Sequence, residues 1–501
     1  VITDNGAGGL SSSVGEMAKL TGGAILDLSL VPLKQVGLSS WEILVSESQE
    51  RMTVGIRSED IEAFESLAKL HEVEATAVGQ FTDSGDFHVK YDEETVALLP
   101  IQLLYEGCPQ LQLESEWIKP VNEEPNFPQL NHIGMGSLLT KIMARPNIAS
   151  KEWLVRQYDH EVLGQSVIKP FCGVNHDAPG DAAVIAPIQG DTRGAVISCG
   201  IIPRYSDIDA YAMAAASIDE AVRNAVCVGV NLEKISGLDN FCWPDPIESA
   251  KTPDGRFKLA QLVRANRALD DVCRAYQLPC ISGKDSMKND AIMDGKKISV
   301  PPTLLYSLLG EHSDVRLAVS SDFKQLGDVI YLLGETHQEL GASEITYLLG
   351  ELIGGGVGND VPQIDCTRNL AMYKALTATM TDRLVRSAHD CSDGGLAAAV
   401  VECSFGMDEG CTVEIGNLAG GNHNNWAALF GESLGRILVS VAPENCSDFE
   451  QRMSNHAITK LGTVGGFSSV SFTNNGELIC QAELSDLLNS WKSPLNLGGE
   501  Q

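Results

Sequence analysis

Apolar residues recur along this chain in two periods, and the alternation of those periods defines its elements. Residues 210–228 and 257–276 carry apolar positions at helical spacing with few breakers, and each predicts a long amphipathic helix. Short apolar runs bounded by glycine or proline predict strands: MTVGI at 52–56, AAVIAPI at 182–188, GAVISCGI at 194–201, SVPPTLLYSLLG at 299–310, VIYLL at 329–333 and ILVSV at 437–441. Further helices are expected near 341–352 and 368–386. Residues 107–135, with prolines at 109, 120, 125 and 128, read as connecting chain. Alternating elements with helices on one side of mixed sheets predict an α/β or α+β sandwich.

The pattern also repeats. Asp4 in ITDNGAGGL precedes a small-residue helix pattern, and Asp390 in AHDCSDGGL does the same. Glu47-Ser48-Gln49-Glu50-Arg51 is answered by Glu432-Ser433-Leu434-Gly435-Arg436, Gly79 by Gly462, and Leu103-Leu104 by Leu487-Leu488. These pairs are in order at a nearly constant offset of about 385 residues, which predicts a tandem duplication of a two-domain unit. The expected domains are 1–118, the C-terminal domain of repeat 1; 119–135, a linker; 136–322 and 323–490, the two domains of repeat 2; and 491–501, a tail. By the same spacing, about 270 residues of the first copy are expected upstream of Val1, as a missing N-terminal portion.

Composition narrows the function classes. The 501 residues hold 36 basic and 67 acidic side chains, a formal net charge of −31. Such a field repels phosphate backbones and anionic lipid, so neither nucleic acid nor a membrane is an expected partner. No apolar run approaches the roughly 18 residues of a membrane span. Thirteen cysteines with no CxxC spacing fit no zinc template and read as reduced thiols of a cytoplasmic protein.

Several strings carry candidate chemistry. The GGL turns leave free N–H groups at a helix start, and Asp4 or Asp390 beside them could hold Mg²⁺ against a phosphate; the alternative is a tight strand–helix turn with an N-capping carboxylate. In APGDAAVI, Asp181 follows Gly180 at the mouth of a strand, either to hold metal or to end the strand. Glu220 and Asn224 share one helix face at i, i+4, as oxygen ligands or as an ordinary polar face. ISGKDSM at 281–287 places Gly283, a cation, an anion and Ser286 together, as a ligand-contacting loop or a surface turn; the first glycine of a P-loop is absent. The Gly354–Gly358 run lacks a dinucleotide-site context and reads as a flexible loop.

SESQERM at 46–52, DNGAGGLSSSVGEMA, ARPNIASKEWLVRQYDHEV at 144–162, PRYSDIDAYAMAAASIDEAVRN at 203–224, SGKDSM, LLGETHQELGASE and AHDCSDGGLAAAV together resemble the synthetase component of phosphoribosylformylglycinamidine synthase. The resemblance covers nearly the whole chain in order. It implies an ATP-dependent carbon–nitrogen ligase of purine biosynthesis, of the aminoimidazole ribonucleotide synthetase-like superfamily. ATP would phosphorylate the amide oxygen of formylglycinamide ribonucleotide, and ammonia from a glutaminase subunit or domain would displace the phosphate. By motif match, the resemblance assigns Glu47, Ser48, Gln49 and Ser286 to substrate and Asp239 and Gly283 to ATP. It assigns Asp4 to Mg²⁺, and an auxiliary nucleotide site to Gly180 and Ser392 with the metal ligands Asp181, Glu220, Asn224 and Asp390. The family's catalytic histidine lies on an HNHPS-type motif that this sequence lacks; Asn175-His176-Asp177 is a faint echo. No catalytic residue is therefore assigned, and the chain is expected to be inactive alone. The alternatives are a non-catalytic nucleotide-binding scaffold and a small-molecule kinase of the same superfamily.

Overall fold

In the computed structural model, which describes residues 1–158, 160–421 and 423–496, the chain forms two units, Val1–Leu113 and Glu114–Gln501. Within QYDHEV, Asp159 lies outside the described residues, as do residues 497–501 of the expected tail.

The first unit begins with β1 (Ile2–Asp4), α1 (Gly9–Thr21) and β2 (Gly23–Asp27), followed by β3 (Met52–Val54), β4 (Gly79–Thr82), β5 (Asp86–Tyr91) and β6 (Glu94–Pro100). The last three strands and β2 make a sheet in the order β4-β2-β5-β6, while β1 pairs antiparallel with β3, Asp4 opposite Met52. Leu10, Val14 and Ala18 of α1 meet Ala24, Leu26, Phe87 and Val89 of the sheet in one apolar core. Their i, i+4 and alternate spacings are the two periods of the sequence.

The second unit opens with α2 (His132–Met143) and a six-stranded sheet: β7 (Ser166–Ile168), β8 (Ala183–Ile185), β9 (Gly194–Gly200), β10 (Ile235–Cys242), β11 (Cys280–Ser286) and β12 (Thr303–His312). Their order is β11-β10-β12-β9-β8-β7. Two helices lie against this sheet. α3 (Ala210–Cys227) packs on β9 and β12 and is buried almost all round, and α4 (Gly255–Tyr276) packs on α3. A seven-stranded sheet follows from β13 (Val329–Leu333), β14 (Val385–Asp390), β15 (Cys411–Glu414), β16 (Ile437–Val441), β17 (Ile458–Val464), β18 (Ser469–Asn474) and β19 (Glu477–Glu483), ordered β14-β16-β13-β17-β15-β18-β19. With it go α5 (Glu344–Ile353), α6 (Cys366–Thr381) and α7 (Gly395–Ser404). The architecture is α+β, with helices and mixed sheets in layers.

Four expectations change. The strand at 182–188 is only Ala183–Ile185, because Pro187 supplies no amide to a ladder. The helix expected to 386 stops at Thr381: Arg383, at φ 58°, turns the chain into β14. The SGKDSM string is neither loop nor turn but β11, an edge strand parallel to β10 with Gly283 opposite Asp239. Its residues are largely exposed, so no apolar alternation marked it as a strand.

The fourth change concerns the glycine run and the proline-rich segment. Residues 114–131 have no regular structure, yet they are tied to the second unit. Trp117 stacks on Phe257 at 5.5 Å, and the Asn122 amide N–H donates to Asn359 while Asn359 Nδ2 returns a bond to the Asn122 carbonyl, both 2.8 Å. Gly356 and Gly358 donate backbone N–H bonds to Glu124 and Glu123. The glycine run is therefore the seat of this strap rather than a free loop.

Candidate functional site

The GGL turn has the same construction in each unit. Gly8 and Gly9 stand at φ 78° and 55°, Gly394 and Gly395 at 79° and 68°, a region that favours glycine. A Cβ on Gly9 would lie 2.1 Å from the Ser46 carbonyl oxygen, and one on Gly395 would lie 2.5 Å from that of Gly431. The Gly8 N–H donates to Glu47 Oε1 at 3.3 Å, and the Gly394 N–H to Glu432 Oε1 at 3.0 Å. Arg51 and Arg436 close each turn: their guanidiniums donate to the carbonyls of Ser48 and Ser46, and of Ser433 and Gly431.

In the first unit Asp4, at the end of β1, opens the loop whose Gly8 N–H is held by Glu47. Asp4 Oδ1 accepts the Gly6 N–H at 2.8 Å. Ser48 Oγ bonds Ser46 Oγ at 3.0 Å, Gln49 Nε2 donates to the Glu47 carbonyl at 2.8 Å, and all four predicted residues are exposed.

In the second unit the turn opens onto a cleft of about 290 Å³. Gly180, Asp181, Glu220, Asn224, Asp390 and Ser392, singled out separately in the sequence, all line it. Asp181 arrives just ahead of β8, Glu220 and Asn224 on one face of α3, Asp390 at the end of β14, and Ser392 in the turn before α7. Asp181 Oδ1 accepts the Asp390 N–H at 3.0 Å and bonds His389 Nδ1 at 2.8 Å. Asp181 Oδ2 is buried with no hydrogen-bond partner. A buried carboxylate oxygen left unpaired is costly unless a cation or donor meets it. Asp181, His389 and Asp390 place ligand atoms within 4.8 Å of one another. The oxygen-rich donor set suits Mg²⁺.

Negative charge is crowded here. Burial, with Asp390 and Asp393 close by, pushes the Glu220 carboxyl up to about 8, and burial with Glu344 beside it pushes Asp393 up to about 7. Burial opposes a charge on His389, but Asp181, Cys403 and Glu402 together outweigh it and hold the imidazole well above its ordinary pKa. A divalent cation relieves such crowding. Lys151, also on the rim, donates to the carbonyls of Asn147 and Ala149 at 2.6 and 2.7 Å.

Asp239, Gly283 and Ser286 do not join this cleft. They lie on β10 and β11 at the opposite edge of the six-stranded sheet, where a Cβ on Gly283 would come within 2.7 Å of Asp239 Oδ1. His176 sits in an exposed turn.

Sequence reasoning missed His389, whose Nε2 bonds Glu402 at 3.0 Å, and the pair Asp219 and Arg223 behind the cleft. The i, i+4 spacing that marked Glu220 and Asn224 holds for Asp219 and Arg223 as well, one position earlier.

Two domain families match the sequence. AIR synthase related protein, C-terminal domain, matches residues 1–92 and again 325–472, and AIR synthase related protein, N-terminal domain, matches 179–303. With these domain matches over its layered α+β units, the chain is an AIR synthase related protein. Among relatives, the phosphoribosylformylglycinamidine synthase subunit PurL of an Anaeromyxobacter species is 33% identical over 93% of this chain and 60% of its own length. PurL of Ignicoccus hospitalis is 33% identical over 98% of this chain and 64% of its own. The structure of PurLQS from Thermotoga maritima matches at TM-score 0.58 and 20% identity, over 93% of this chain and 64% of that one; T. maritima PurL complexed with ATP matches at 0.57. The chain is thus an AIR synthase related protein similar to PurL, and it spans 60–64% of the length of these curated relatives.

Proposed function

We propose that this chain is part of the synthetase component of a phosphoribosylformylglycinamidine synthase, built on a duplicated two-domain unit. In this reading the second unit carries an auxiliary, non-catalytic site for ADP or ATP with Mg²⁺, and the first unit carries part of the pocket for formylglycinamide ribonucleotide. The unpaired, buried Asp181 Oδ2, facing Asp390 in a cleft with Glu220 and Asn224, carries the proposal. Asp181, Glu220, Asn224 and Asp390 would hold the cation, which neutralises phosphate charge. Ser392 and the backbone beside Gly180 would meet the nucleotide, at the N-terminus of α7. In the first unit, Glu47, Ser48 and Gln49 would contact the ribonucleotide and Asp4 a Mg²⁺ ion. Asp239, Gly283 and Ser286 would serve ATP and substrate at the other sheet edge. PurL of T. maritima has been solved complexed with ATP, ADP and FGAR, which supports the ligand classes. A glutaminase partner would supply ammonia, and the front part of the synthetase the catalytic base. No helix among the described residues is long and apolar enough to cross a membrane; a cytoplasmic location fits the pathway.

The test is nucleotide content. Purified chain, denatured and chromatographed after incubation with Mg²⁺ and ADP, should release stoichiometric nucleotide, and Asp181→Ala with Glu220→Ala should release almost none. Equal release from the two proteins overturns the assignment.

A further inference from the structure

Two residue pairs share α3 at the same spacing, one position apart. Glu220 and Asn224 line the cleft, whereas Asp219 and Arg223 are fully buried behind it. Burying a guanidinium and a carboxylate is costly, and hydrophobic side chains would fill the space at least as stably. The pair's contacts run to the cleft. Arg223 Nη1 donates to Asp219 Oδ2, while Nε and Nη2 donate to Asp390 Oδ2 at 3.3 and 3.1 Å, and Nη2 also reaches Ser392 Oγ at 3.0 Å. Both donors to Asp390 end on the same oxygen, so the fork leaves Oδ1 uncommitted. Behind Arg223, Asp219 Oδ1 accepts three donors: the Tyr276 hydroxyl from α4, and from α6 the Tyr373 hydroxyl at 2.9 Å and Asn369 Nδ2 at 3.3 Å. Asp219 is held too firmly to turn, and it fixes Arg223.

We propose that Arg223, anchored by Asp219 and the hydroxyls of Tyr276 and Tyr373, is a positioning residue that holds Asp390 and Ser392 from behind and sets the cleft's affinity for a divalent cation with its nucleotide. The inference rests on the cleft being a nucleotide–cation site. A ligand carboxylate held by a donor behind it presents its remaining oxygen in one orientation, and loss of such a partner weakens metal binding even where the fold survives. The fork geometry requires arginine, because lysine offers a point charge with no planar pair of N–H vectors.

The experiment is a Mn²⁺ titration of the full chain with ADP present, reading free Mn²⁺ by electron paramagnetic resonance, alongside the melting temperature of the metal-free protein. Asp181→Ala should abolish the ADP-dependent Mn²⁺ site, leaving whatever ion Asp4 holds in the first unit. The double variant Tyr276→Phe/Tyr373→Phe should weaken it about tenfold, and Arg223→Lys at least as much. Wild-type affinity in the double variant, with only its metal-free melting temperature lowered, assigns the network a structural role and overturns the proposal. Should Arg223→Lys fail to fold, the double variant decides. If Asp181→Ala binds Mn²⁺ as wild type does, the cleft is not the cation site, and both readings fall together.

Discussion

Glu414 shows how much a single carboxylate can organise. Its oxygens accept the backbone N–H groups of Gly416, Asn475 and Gly476 at 2.8, 2.8 and 3.1 Å and the Thr473 hydroxyl at 2.9 Å, stapling the end of β15 to the turn after β18. Burial pushes its pKa up, but those donors outweigh it and hold the carboxyl below its ordinary value. A depressed folded-state pKa gives stability that is present above the unfolded value and lost as pH falls through the folded one. Glu414→Gln should therefore lower stability by about 1 kcal/mol at neutral pH, and the gap to wild type should close in acid. Denaturant titrations at pH 7 and below pH 4 check this; a gap that persists in acid contradicts it. At this scale the sequence was readable where chemistry and spacing coincide, as at Glu220 and Asn224. It was silent on Asp219 and Arg223, because spacing does not say which face of a helix turns inward. Their role depends on Tyr276 and Tyr373, which other helices bring.

Elements were most legible where the apolar period was strong. α3, α4 and β13 stand within two residues of their expected bounds, since each buries the positions that set its period. β11 escaped notice because an exposed edge strand buries too little to show an alternation. The strap at 114–131 escaped because its ties, a ring stack on Phe257, the Asn359 side chain and backbone bonds to the glycine run, are made far along the chain, which local composition does not reveal. Gly356 is its tightest point: a Cβ there would lie 1.9 Å from the Glu123 carbonyl oxygen. Gly356→Ala should displace the strap, cost about 1–3 kcal/mol and open 114–131 to limited proteolysis. Cleavage and melting temperature unchanged from wild type would show that the loop yields freely.

For the whole molecule, the surplus of acid constrains how anionic ligands approach. A chain of net charge −31 offers phosphate groups a repulsive field except where cations or helix N-termini intervene, and the proposed cleft site relies on both. The HNHPS-type motif is absent from the sequence, so the purified chain is expected to release no ADP from ATP, formylglycinamide ribonucleotide and ammonia beyond a protein-free control. Coupled-enzyme detection of ADP checks this; turnover would place the catalytic base within these 501 residues.

The cleft is assembled from stretches that lie far apart along the chain. The bond from Asp390 to Asp181 spans 209 residues and that from Arg223 to Asp390 spans 167. Closing contacts of such high order costs the entropy of large loops. The binding surface thus exists only once both sheets of the second unit are in place. A ligand that recognises it selects the finished state alone and draws the folding equilibrium forward by mass action. Under the proposed function that ligand is a nucleotide, which would then act on the folding of the second unit before it acts on anything else.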